Sequence, residues 1–407
     1  MILGNRRLSP QEENRARVAA IYLFGTQEAL KEDFWARLKM ETLKEAFRQK
    51  ARLYHPDLQA RATPETLKKK REWFIKIKES YDILKDLVYV EVSAEAEAAS
   101  PSKSRVKKFI AVGGAKGGIG KSMFTTNLGV FLAAQGNRTV MVDLDLGGAN
   151  LHLYLGETYL KYNVNDFINK TAPSLTDVMT ATKYGPWLIG GNSSQLGSSN
   201  ISFAAKMRLI KSVRDLEADC VIIDLGSDTS YNILDFFLAA DIKIVVTTCD
   251  PASYLEAYNL IKVGLYRRLN RLFGEESPLP SQKNHALQQI IYEATMPANG
   301  DRVKNIQELF KLVQKHHEDY IPYLKKALET YQPCLVINQV SAEDQVKPIV
   351  RRIQEVARKM LGIQVKYLGA LPFQDEIKQS TRELVPVVAR HSQGRLAQQL
   401  AQIIREL

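Results

Sequence analysis

A chain of 407 residues is too long for one average domain of about 150 residues, so two or three folding units are expected. With 45% hydrophobic and 25% charged residues and a mean hydropathy of −0.22, its composition excludes a fibrous, collagenous or wholly disordered protein. The net charge of +11 points to an acidic or phosphorylated partner, and +7 of it falls within residues 1–108. No run reaches the roughly 18 apolar residues of a membrane span, so the cytoplasm is the expected location. Cys220, Cys249 and Cys334 lie far apart, each in an apolar run that reads as a strand, and they are expected to be buried, reduced thiols.

Residues 12–88 read as a helical domain and 89–108 as a small-residue, polar linker. Within the first, Leu43, Ala46, Phe47, Ala51 and Tyr54 recur at helical spacing, with Lys44, Arg48 and Arg52 on another face. His55-Pro56-Asp57 follows as a loop, and a second amphipathic helix over about 64–87 carries Phe74, Ile77, Tyr81 and Leu84. From residue 109 the texture changes. Strands are expected at Phe109–Gly113, Thr139–Asp143, Trp187–Gly190, Cys220–Asp224, Ile242–Thr247, Cys334–Asn338 and Lys366–Ala370, separated by helical segments. Near-continuous Val/Ile/Leu runs in that rhythm argue for an α/β domain over 109–407 with a mostly parallel sheet covered on both faces. A helical insertion of basic character is expected at about 264–331. The final helix, with Leu396, Leu400, Ile403 and Leu407 in one stripe, reads as core packing rather than a membrane anchor.

The first of these strands runs into Gly114-Ala115-Lys116-Gly117-Gly118-Ile119-Gly120-Lys121-Ser122 and then a helical pattern. A glycine-rich turn between strand and helix lets backbone N–H groups face phosphate oxygens, and the helix N-terminus adds partial positive charge. Gly117 to Ser122 would hold the phosphates, with Lys121 on the β/γ-phosphates and Ser122 on Mg²⁺. Ala115 stands where the general G-x-x-x-x-G-K-[ST] pattern has glycine. The segment instead fits K-G-G-x-G-K-[ST], and so resembles the deviant Walker A P-loop ATPases of the MinD, ParA and FlhG type.

That resemblance implies an ATP-sandwiched homodimer in which Lys116 reaches the nucleotide of the opposite subunit. The segment Val142-Asp143-Leu144-Asp145 is similar to the family's switch I, implying that Asp145 orients the attacking water, while Asp143 supports either the Mg²⁺ shell or the loop. Asp224, which ends the apolar strand Cys220-Val-Ile-Ile-Asp224, matches the residue that holds Mg²⁺ through water. In Asp224-Leu225-Gly226-Ser227-Asp228, however, an aspartate replaces the γ-phosphate-sensing glycine, and a carboxylate there would repel the phosphate unless turned away, which implies hydrolysis that is slow or needs a partner. Asn338, Pro372 and Asp375 match the positions that border the adenine.

Two helices joined by His55-Pro56-Asp57 resemble a J-domain, the first helix of that fold being loosely matched by Tyr22 to Leu38. The resemblance implies a DnaK-type chaperone engaged through His55, Pro56 and Asp57. Together these likenesses imply an ATP-driven switch that positions or assembles a protein cargo, with ATP and Mg²⁺ as cofactors. The alternatives are an adaptor that binds nucleotide with little turnover and an ATP-dependent binder of non-specific DNA.

Overall fold

In this computed structural model the described residues are 2–3, 6–7, 10–31, 33–38, 40–54, 70, 73–81, 83–84, 108–145, 148–191, 201–273, 284–295, 305–342 and 345–407. The chain divides into two units, Met1–Ser104 and Arg105–Leu407. In the first, α1 (Pro10–Phe24) ends at Gly25, whose φ of +85° terminates a helix without Cβ strain. The helix expected over 22–38 is therefore broken: only the short turns Thr26–Ala29 and Phe34–Arg37 follow. Helix α2 (Met40–Tyr54) buries Leu43, which joins Ile77 and Leu84 from the second amphipathic segment and Ala16, Ala20 and Leu23 from α1 in one apolar core. His55, Pro56 and Asp57 lie outside the described residues.

The second unit is a P-loop NTPase α/β fold, with helices on both faces of an eight-stranded sheet. Its strands are β1 (Lys108–Gly113), β2 (Thr139–Leu144), β3 (Thr180–Ala181), β4 (Trp187–Ile189), β5 (Cys220–Leu225), β6 (Ile242–Thr247), β7 (Pro333–Val340) and β8 (Lys366–Pro372). They lie in the order β8-β7-β6-β1-β5-β2-β4-β3 and are parallel except for the β3–β4 edge pair. Alternation along β1 explains the two apolar layers: Phe109 and Ala111 enter one core, Ile110 and Val112 the other. Cys220 and Cys334 are buried strand residues, whereas Cys249 is half-buried beyond the end of β6, so the expectation that it lies in a strand fails.

Between the strands come α3 (Lys121–Ala134), α4 (Phe203–Arg214), α5 (Tyr231–Ala239) and α6 (Pro251–Phe273). Gly264, where the sequence suggests that the insertion starts, sits in the middle of α6, at a point where a Cβ would meet the Tyr331 hydroxyl at 2.5 Å. Helices α7 (His285–Thr295), α8 (Ile306–His317) and α9 (Ile321–Glu329) pack beyond it through Leu287, Ile291, Leu309, Val313 and Leu324. Next are α10 (Val346–Val356), α11 (Asp375–Glu383) and α12 (Arg395–Glu406), the last of which buries Leu396, Leu400 and Ile403 beside β8. One carboxylate ties three helices together: Asp235 on α5, fully buried, meets Lys206 of α4 at 2.5 Å and Arg267 and Arg271 of α6 at 2.9 and 3.3 Å. Among the described residues no helix is long and apolar enough to cross a membrane.

Candidate nucleotide site

Chain connections leave β1 toward β2 on one side and reach β6 on the other, so a crevice opens at the carboxyl end of β1. Residues 114–120 fill that position and lead into α3. Gly118 and Gly120 have φ of +77° and +85°, conformations that L side chains rarely adopt. A Cβ on Gly114 would come within 2.7 Å of the Val246 carbonyl, whereas one on Gly117 would meet nothing within 4 Å. The loop is thus wedged against β6 on one side and open on the other.

A cavity of about 630 Å³ adjoins it, a size suited to a small ligand. Of the residues singled out in the sequence, Gly117, Gly118, Gly120, Lys121, Ser122, Asp145, Asn338 and Pro372 line it. Lys116, Ile119, Asp143, Asp224 and Asp375 do not. Asn150, Tyr154, Ser227, Gln339 and Phe373 line it as well, without a local sequence signal to announce them.

Lys121 is 7% exposed, and its ammonium donates to the Ser227 hydroxyl at 2.5 Å and the Lys116 carbonyl at 3.4 Å. Desolvation lowers its pKa, and Asp224 and Asp145 partly restore it. Lys116 is paired with Asp250 of the same chain at 2.9 Å, with both side chains about half exposed. Asp228 does not line the cavity. Its carboxylate accepts from the Ser230 backbone N–H at 2.8 Å, close to the start of α5, so the repulsion expected from its position in the sequence is not built into this arrangement. Ser227 is the residue of that segment which faces the site.

Asp143 and Asp224 are register partners on β2 and β5, each 1% exposed. Asp143 accepts from the backbone N–H of Asp145 at 3.1 Å and of Leu151 at 2.9 Å, so it holds the loop that carries Asp145. Asp224 accepts from the Thr125 hydroxyl at 3.0 Å and is also bonded by Ser122. Burial pushes Asp143 up to about 7, helped by the neighbouring Asp224. Burial likewise raises Asp224 to about 6, against the hydrogen bonds of Ser122 and Thr125 and the charge of Lys121. Both folded values exceed the ordinary carboxylate value of about 4, so the folded state keeps protons that the unfolded chain releases. The stability that these two carboxylates contribute to the ligand-free protein is therefore expected to fall as pH rises from about 4 to 7. Urea midpoints across that range should fall less, or rise more, with pH in Asp143→Asn than in the parent, and identical slopes would show that Asp143 is not held this way.

The same features test the fit of Mg-ATP. Asn338 is 1% exposed, and its Nδ2 donates to the Ile119 carbonyl at 2.8 Å. Its Oδ1 is buried without a protein partner, an acceptor suited to an N–H donor such as an adenine amino group. The glycine cradle beside Lys121 suits phosphates, and Ser122 with Asp224 offers the sparse oxygen set that Mg²⁺ accepts when phosphates and water complete its shell. Among the described residues no cluster of three or more His, Cys, Asp or Glu side chains forms a metal cage.

The chain is similar in sequence to known proteins. The septum site-determining protein MinD of Helicobacter pylori is 25% identical over 261 residues, 62% of this chain and 90% of that protein. The antiactivator FleN of Pseudomonas aeruginosa is 32% identical over 167 residues, 40% of this chain, and the match spans only 57% of FleN. Among solved structures, MinD of Pyrococcus horikoshii complexed with Mg-ADP aligns at a TM-score of 0.47 and 19% identity, covering 74% of this chain and 96% of that one. The family model for the CobQ/CobB/MinD/ParA nucleotide binding domain matches residues 110–387, more than half of the sequence, and the chain belongs to that family.

Proposed function

We propose that this protein is an ATP-hydrolysing switch of the cytoplasm that dimerises around Mg-ATP to position or assemble a protein cargo. The observation that carries the reading is the single cavity joining the open glycine loop, Lys121 and Asp145 to the buried acceptor of Asn338. Gly117 to Ser122 bind the phosphates and Lys121 neutralises their charge. Mg²⁺, held by Ser122 and Asp224, supplies further charge compensation on the phosphate oxygens. Asp145, on the loop tethered by Asp143, orients a water for in-line attack. Asn338 and Pro372 seat the base, and Asp375 starts the helix beside it. Lys116 exchanges Asp250 for the nucleotide of a second subunit.

Names of related proteins support the assignment to site determination: one relative is a septum site-determining protein and another a flagellum site-determining protein. Residues 12–88 are proposed to recruit a DnaK-type chaperone through His55, Pro56 and Asp57, a reading supported by the sequence pattern alone. The alternatives are an adaptor that binds nucleotide with little turnover, which Asp228 permits, and DNA binding, which the net charge of +11 permits.

With ATP bound, Asp145→Ala is expected to run at twice the monomer mass in light scattering and to release phosphate about 100-fold more slowly than the parent. A monomeric ATP-loaded variant overturns the sandwich. A parent chain that binds Mg-ATP yet releases no phosphate identifies the adaptor instead.

A further inference from the structure

Gln339 is one of three non-glycine residues with positive φ among the described residues, at +56°. It gains little from packing, since its side chain is exposed. Its amide nitrogen donates to the Gly118 carbonyl at 3.2 Å, next to the bond from Asn338 to the Ile119 carbonyl. Consecutive side chains of a regular strand point to opposite faces, so both amides could not reach one loop from unbroken β7. The β7–β8 register slips here: Ala370 pairs with Ile337, but Pro372 pairs with Val340. A bulge of this kind re-aims a side chain.

The carbonyls that are held belong to the two peptides whose N–H groups are those of Ile119 and Gly120. In a planar trans peptide the C=O and N–H point in opposite directions. Fixing the two carbonyls therefore fixes two N–H vectors of the glycine loop. We propose that Gln339 is a positioning residue which, with Asn338, pre-sets the phosphate loop before ligand arrives, and that its left-handed backbone is retained for this purpose at some cost in stability. The inference rests on reading the loop as a phosphate cradle.

Gln339→Gly removes the amide and the backbone strain together, so stability and affinity should move in opposite directions, which a merely structural residue would not produce. The variant is expected to melt about 1–3 °C higher. It should bind Mg-ATP and Mg-tripolyphosphate about 3–10-fold more weakly in titration calorimetry, by the same factor for both. Gln339→Met, similar in reach but uncharged and without the donor, should show the same loss of affinity. Unchanged affinity in both variants, a loss confined to ATP, or a lower melting temperature for Gln339→Gly overturns the proposal while leaving the cradle reading intact. A parent chain that binds neither ligand overturns the cradle reading, and this proposal with it.

Discussion

Lys121→Ala is expected to weaken Mg-ATP binding by at least 100-fold while leaving the chain folded. The ammonium is nearly buried, and its two partners are a hydroxyl and a distant carbonyl, so its charge is available to a polyanion. A charged donor aimed at phosphate in a site of low dielectric is worth about 3–4 kcal/mol, which corresponds to 10²–10³ in binding or rate. Its loss also removes the positive charge that holds the Asp224 pKa down, so the carboxylate beside Ser122 should protonate more readily. Folding is less affected, because the variant no longer desolvates a cation. Titration calorimetry checks the affinity and urea denaturation the fold; a loss under fivefold would remove Lys121 from the phosphate site.

Gly120→Ala is expected to destabilise the protein by about 2–4 kcal/mol and to abolish nucleotide binding. Two independent costs combine. An L side chain at a φ of +85° costs about 1–2 kcal/mol. The added methyl would also overlap the Asn338 amide nitrogen, forcing apart the Asn338–Ile119 hydrogen bond, worth about 1 kcal/mol or more in a buried setting. Gly117→Ala is the matched control, because a Cβ there enters open space. Equal urea midpoints for the two variants would show that the loop tolerates displacement at Gly120 and that the contact with β7 is dispensable.

These expectations separate what is local from what is not. Strand β1, the glycine loop and α3 are adjacent in sequence, and their glycine spacing, Lys121 and Ser122 identify a phosphate cradle before any tertiary contact is known. Alternating and continuous apolar runs likewise mark the central strands, because a sheet buried on both faces needs apolar residues at nearly every position. Two-residue β3 escaped notice, since so short an edge pair carries no periodicity. The break after α1 is not in the expected pattern either: the match of Tyr22 to Leu38 to one helix comes from the J-domain resemblance, whereas Gly25 ends the helix locally.

Asp228 shows the limit of reading a motif by position. A carboxylate in that slot repels a phosphate unless it is turned away, and residue type does not say which holds; here it accepts from the Ser230 backbone N–H and Ser227 faces the cavity. Backbone direction at the end of β5 decides this, and no residue type encodes it by itself. Lys116 is similar. Its identity marks the family pattern, while its pairing with Asp250, 134 positions away, is set by β6 lying beside β1.

The sequence by itself determined that this chain contains a phosphate-binding loop on an α/β sheet, because strand, turn and helix propensities act over a few residues. Only the tertiary structure decided how that loop is held: by Asn338 and Gln339, more than 200 positions away, through a register slip between β7 and β8. Hydrogen bonds across such separations depend on where whole strands pack, and packing is a property of the assembled sheet rather than of any segment in it.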